Sequence, residues 1–158
     1  MLLTIADFDN DARIPMLLPV DHTTDPMYNV VIAEVESYIG KYEPLFMDMF
    51  FKDSEMYSTL LEYDEYHSED SEMYDKLISS LRRSLSHYVS FHYHRSRIVT
   101  PIGGVELQSA GGKRTSLIDT QVTLWNQMVD NNLYIYRHLL ESAHPKTEIF
   151  TKINSFNL

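Results

Sequence analysis

Apolar residues recur at intervals of three and four over most of the chain, the period of helices that bury one face. Val31, Val35 and Tyr38 or Ile39 predict a helix over residues 29–39, with Gly40 as its stop. Pro44 suits the first turn of a second, short helix carrying Leu45, Phe46, Met49 and Phe50. Asp53 or Ser54 caps a further stretch whose apolar set is Met56, Leu60, Leu61 and Tyr63. The run EYDEYHSEDSE, residues 62–72, is too acidic to pack and reads as an exposed loop.

A long helix follows, from residue 70 or 71 to residue 93. Tyr74, Leu77, Ile78, Leu81, Leu85, Tyr88 and Phe91 or His92 share one of its faces. Residues 97–115, RIVTPIGGVELQSAGGKRT, break the pattern. Ile98, Val99, Val105 and Leu107 around Pro101, Gly103 and Gly104 predict a short hairpin or open loop with a glycine-rich basic tip. The last long helix spans residues 116–142, with Ile118, Val122, Trp125, Val129, Leu133, Tyr136 and Leu140 as a stripe facing the 70–93 helix. Pro145 ends it. The predicted fold is mainly α, an antiparallel helical bundle with a short β-hairpin or loop insertion and extended N- and C-terminal arms. It divides into an extended arm over residues 1–28, interrupted by Pro15, Pro19 and Pro26, a helical domain over 29–143, and a docking tail over 144–158. The tail alternates Ile149, Phe150, Ile153 and Phe156 with polar residues. Arm and tail each need a surface to lie on, in their own domain or in a neighbour.

Charge sharpens this picture. The 158 residues carry a formal net charge of −10, but residues 1–81 hold 4 bases and 18 acids while residues 82–114 hold 6 bases and one acid, Glu106. The polarity of the 70–93 helix explains part of the asymmetry, since Asp70, Glu72 and Asp75 open it and Arg82, Arg83 and Arg95 lie toward its end, as the macrodipole favours. The remainder fits head-to-tail association, in which an acidic face of one copy meets the basic segment of the next. The 11 Tyr and 8 Met are residue types enriched at protein interfaces as well as useful in a helical core. The acidic balance argues against a protein that coats nucleic acid. No apolar run reaches the ~20 residues of a membrane span, and the acidic start MLLTIADFDNDARIP is not read as an export signal.

Candidate chemistry is sparse. With no cysteine there is no disulfide, thiolate metal site or cysteine nucleophile. His87 and His94 share a helix face but lie ~10 Å apart, and His92 points elsewhere, so no metal site is expected. Gly112-Lys113 is followed by Arg114 where a phosphate-binding loop requires Ser or Thr. The carboxylates sit on solvated faces, where nothing separates their pKa values for acid–base work. Trp125 is expected in the core with its indole N–H on a local partner. The chain is therefore read as a non-enzyme without cofactor or metal.

Two stretches, TPIGGVELQSAGGKRTSLIDTQVTLWNQMVDNNLYIYRHL and YIGKYEPLF, resemble the head–tail connector (adaptor) proteins of tailed bacteriophages, in particular the connector or ring proteins of crAss-like and related Bacteroidetes phages. The resemblance implies a structural virion protein of the phage neck. Such a protein forms a ring, typically of about twelve copies, beneath a portal protein and beside other tail or ring proteins. DNA passes through it without specific binding. On that resemblance Arg95, Arg97, Lys113 and Arg114 are expected at an interface or the channel rim, and Ile149, Phe150, Ile153 and Phe156 as partner-docking anchors of the tail. Deletion of residues 145–158 is then expected to leave a folded helical protein that no longer binds its partner ring. A different class of function, a small helical adaptor or regulatory module binding one protein partner, fits the same helices.

Overall fold

The protein is described from a computed structural model over residues 1–8, 12–14, 17, 26–51, 54–66, 72–98, 107–108, 114–115, 117–138 and 150–154. These residues are mainly helical: α1 (Pro26–Phe50), α2 (Ser54–Tyr66), α3 (Glu72–Ile98) and α4 (Leu117–His138), with one 3-10 turn at Ile5–Phe8. Two strands of two residues, β1 (Leu107–Gln108) and β2 (Arg114–Thr115), pair antiparallel with Leu107 opposite Thr115 and Gln108 opposite Arg114. None of the described helices is long and apolar enough to cross a membrane.

The first correction to the sequence reading is at α1. It runs unbroken for 25 residues through Gly40 and Pro44, where a stop and a restart were expected. Pro26 occupies its first position, where a missing N–H is harmless. Pro44 withholds the hydrogen bond to the carbonyl of Gly40 and crowds it, four residues back. Burial on both sides of the break holds the helix together: Val31, Val35 and Ile39 before it, Phe46, Met47 and Phe50 after it, all lie in the core. A Cβ placed on Gly40 would meet nothing within 4 Å. Gly40→Ala is therefore expected to raise stability by roughly 0.5–1 kcal/mol, read as a higher urea midpoint at unchanged slope. A lower midpoint would mean that Pro44 requires a bare glycine beneath it.

The central element is α3, which packs most extensively on α4 and next on α1. Tyr38 meets Tyr93 and Phe46 meets Tyr88, so α1 runs antiparallel to α3. Trp125 meets Phe91 and Asn131 reaches Ser80 and Ser84, so α4 does too. The expected apolar face of α3 is buried, but from Ser84 to Phe91 every side chain is buried, polar ones included. The polar groups find partners across the core or within α3. Ser90 donates to the carbonyl of Ala12 at 2.7 Å, Ser86 donates to the carbonyl of Arg83 at 2.9 Å, and Ser84 accepts from Asn131 at 2.6 Å.

On α4 the expected stripe is turned by about one residue. Gln121, Leu124, Met128, Val129, Asn132 and Ile135 are buried, while Ile118 and Tyr136 are exposed. Gln121 and Asn132 stand in the buried seam, so a hydropathy pattern misplaces it. The acidic run expected as a loop is helical through Tyr66, as the last turn of α2.

The amino-terminal arm lies on its own domain. Leu2, Leu3, Phe8, Ala12 and Ile14 are buried. The buried carboxylate of Glu43 on α1 accepts hydrogen bonds from the N–H of Leu2 at 2.8 Å, the N–H of Leu3 at 3.0 Å and the hydroxyl of Tyr57 at 2.7 Å. Arg82 on α3 donates through Nε to the carbonyl of Leu2 at 2.7 Å and grips both carboxylate oxygens of Asp64 on α2 at 2.8 Å. One chain of polar contacts thus ties the arm to three helices.

Candidate functional site

Two features of the surface concentrate interaction chemistry: a groove that holds the tail, and a division of charge along α3. The groove is formed by α1, α3 and α4. Phe150 fills it at 5% exposure, its ring 5.4 Å from Phe46, 6.2 Å from Trp125 and 6.4 Å from Tyr88. Beyond Phe150 the tail is held mainly by its backbone. The indole N–H of Trp125 donates to the carbonyl of Thr151 at 2.7 Å. The side-chain amide of Asn126 donates to the carbonyl of Ile153 and accepts from its N–H, both at 2.9 Å. That pair reproduces the two hydrogen bonds a neighbouring β-strand would make. Lys152 adds an exposed ion pair with Asp130 at 2.7 Å, which contributes little to stability. Behind Phe150 lies a cavity of about 10 Å3 lined by Phe50, Val129, Asn132 and Leu133, about the room one water needs.

Phe150, expected as a partner-docking anchor of the tail, is buried in the core of its own chain. Ile153 is half-buried on α4. Ile149 and Phe156 lie outside the described residues. Trp125 does find a partner for its N–H, but 26 residues away in the tail.

The charge division follows α3, which at 27 residues is ~40 Å long. Its first turns and the end of α2 carry exposed acids, Glu62, Glu65, Glu72 and Asp75, with Lys76 among them paired to Glu72 at 2.6 Å. No Lys or Arg occurs in α2. Toward its other end, ~30 Å from Asp75, Arg95 is exposed over the ring of Phe91 at 5.9 Å. Lys41 on α1 lies 4.8 Å from the ring of Tyr42. Both cations act on His92. The sequence reading singled out Arg95 and passed over Lys41, for only the packing of α1 on α3 sets Lys41 near His92. Arg97 falls in the last turn of α3 and Arg114 in β2, with side chains outside the description; Lys113 lies outside the described residues.

His92 stacks on Tyr42 at 4.1 Å and meets Tyr88 edge-on at 4.6 Å. Burial, then the charges of Arg95 and Lys41, lower its pKa to about 4. Burial, then the neighbouring Tyr42, pushes the Tyr88 phenol up to about 12. His92 is therefore neutral at pH 7 and must charge in acid. Its folded pKa is depressed, so its contribution is complete above pH ~6.5 and is lost as pH falls toward about 4. Wild type is expected to lose roughly 1–2 kcal/mol more over that range than His92→Phe, the full linkage being discounted for partial exposure. Parallel pH–stability curves for the two proteins would refute it.

Among the described residues, no three His, Asp or Glu side chains are grouped to hold a metal ion. His87 donates through Nδ1 to the carbonyl of Arg83 at 2.6 Å, a helix-internal contact. No family model matches the chain, and neither a curated protein nor a solved structure matches it significantly.

Proposed function

We propose that this chain is a structural subunit of a bacteriophage neck, a head–tail connector or adaptor that assembles head-to-tail into a ring. The ring binds a portal protein, meets adjacent tail or ring proteins and continues the DNA channel without chemistry. The observation that carries the reading is an excess of exposed acids where α2 ends and α3 begins, Glu62, Glu65, Glu72 and Asp75 against Lys76, which pairs with Glu72 at 2.6 Å, while Lys41 and Arg95 lie toward the other end beside Glu36 and Asp119. Such a polarity lets the acidic end of one copy face the basic end of the next, fixing direction and register. Exposed Tyr66 and Met73 at the acidic end supply the residue types that interfaces use. The resemblance of residues 100–139 and 38–46 to connector proteins supports the same reading. In this reading the helices close as an antiparallel bundle with residues 97–115 as its hairpin insertion, and the excess of acids lets DNA slide without adhering.

Light scattering after size exclusion tests it, with the chain alone and with a portal ring. The expected result is a salt-sensitive multimer, lost in the Lys41→Glu/Arg95→Glu variant and restored by mixing that variant with Glu62→Lys/Glu65→Lys. A protein that stays monomeric at low salt, alone and with portal, overturns the ring and favours the single-partner adaptor.

A further inference from the structure

We propose that the groove holding residues 150–153 is a backbone-reading peptide site whose other occupant is the same segment of a second copy, so that neighbouring copies can exchange tails. Three of the groove's contacts, from Trp125 and Asn126, go to main-chain atoms of Thr151 and Ile153. One side chain, Phe150, is buried as an anchor against Phe46, Tyr88 and Trp125. This is the division of labour of extended-peptide recognition: main-chain hydrogen bonds hold the strand and one pocket selects it. None of these contacts depends on which copy supplies the segment. An exchanged tail makes the same bonds, so the choice between the two arrangements rests on effective concentration.

Reach permits the exchange. Eleven residues, 139–149, stand between the end of α4 and Phe150. Extended, they span up to ~36–40 Å, comparable to the length of α3 beside which a neighbour would lie. Across a connection of eleven residues the chain's own tail competes at roughly millimolar effective concentration. Dilute protein keeps its own tail; crowded or ring-bound copies exchange. The inference rests on the ring reading for its setting and not for its geometry.

The chain contains no cysteine, so single cysteines report cleanly. Asp130 and Lys152, an ion pair across the groove edge, are both more than half exposed and tolerate substitution. One full-length copy carries Asp130→Cys and another Lys152→Cys; the two are unfolded together, refolded and treated with oxidised glutathione. A covalent heterodimer is expected at ~1 mM protein and at least ten-fold less of it at ~10 µM. The pair Glu36→Cys with Lys152→Cys gives the background. Heterodimer no higher than that background at either concentration overturns the proposal. So does a yield unchanged when the Lys152→Cys copy also carries Phe150→Ala, because collision and not the groove then joins the chains. The two readings fail separately. A ring seen by light scattering without the cross-link removes the exchange alone, and cross-linked closed dimers without larger species remove the ring alone.

Discussion

Glu43→Leu is expected to destabilise the protein by roughly 3–5 kcal/mol and to release its amino-terminal arm. The carboxylate is fully buried, and its partners are the N–H groups of Leu2 and Leu3 and the Tyr57 hydroxyl. Removing it strands two buried amide donors, each worth about 1–3 kcal/mol when unsatisfied, and a part-buried hydroxyl, with some recovery as the arm detaches into water. The arm would leave with Leu2 and Leu3, both buried in the core, and with the carbonyl that Arg82 holds. Glu43→Gln keeps the shape and one acceptor and should lose roughly half as much. The same hydrogen bond, after burial, raises the Tyr57 pKa far above its ordinary value. Tyr57 therefore stays a proton donor to Glu43 throughout the range in which the protein would be handled. Urea unfolding gives the magnitude, and native-state exchange of the Leu2 and Leu3 amides gives the mechanism. A loss below 1 kcal/mol, or unchanged protection of those amides, would show that packing alone holds the arm.

Phe150→Ala carries the second large effect, about 3–4 kcal/mol. The ring fills the space between Phe46, Tyr88 and Trp125, and its removal adds to a cavity already present behind it. Because the segment beyond it is held through Trp125 and Asn126, the tail should detach as one piece. The fluorescence of Trp125, the only tryptophan, then moves to longer wavelength before global unfolding. Against a total stability of ~5–15 kcal/mol, this changes what truncation means. Deletion of residues 145–158 removes part of the core along with any partner contact, so lost assembly in that truncation does not by itself identify a docking tail. Asn126→Ala leaves Phe150 in place and separates the two effects, with an expected loss of about 1–2 kcal/mol. A Phe150→Ala protein with unaltered unfolding and fluorescence would place the tail outside the fold.

The helices were legible where burial is one-sided and made by apolar side chains. Val31, Val35 and Ile39 announce one face of α1, and Leu77, Leu81 and Leu85 one face of α3. Legibility failed where local and tertiary preferences disagree. Gly40 and Pro44 read locally as punctuation, yet core residues on both sides carry α1 through them. Ser84, Ser86, Ser90 and His87 read as a polar face, yet α3 is enclosed there by the arm, α1 and α4; the arm bonds Ser90 and α4 bonds Ser84, while Ser86 and His87 bond the carbonyl of Arg83 within α3. Gln121 and Asn132 in the α4 seam turned the expected stripe by about one residue.

The candidate site shows the same division. Local sequence indicates that residues 82–114 are basic and residues 1–81 acidic, because charge is a property of composition. It does not reveal that Lys41 and Arg95, 54 positions apart, both act on His92, which follows only from the packing of α1 on α3. Nor does it distinguish Glu43 from the other acids of residues 1–81, or Phe150 from Phe156, since burial of a single side chain is set by what surrounds it.

By itself, then, the sequence determined a helical, cysteine-free, acidic protein with an apolar arm and tail that had to lie on something. Helix periodicity and charge are written residue by residue and need no partner to be read. Only the tertiary structure decided that arm and tail lie on their own domain, through Glu43 and Arg82 at one terminus and Phe150, Trp125 and Asn126 at the other. Those contacts join positions between 26 and 80 residues apart, and which of many equivalent acids or aromatics makes them is chosen by packing around the whole core, not by any local signal.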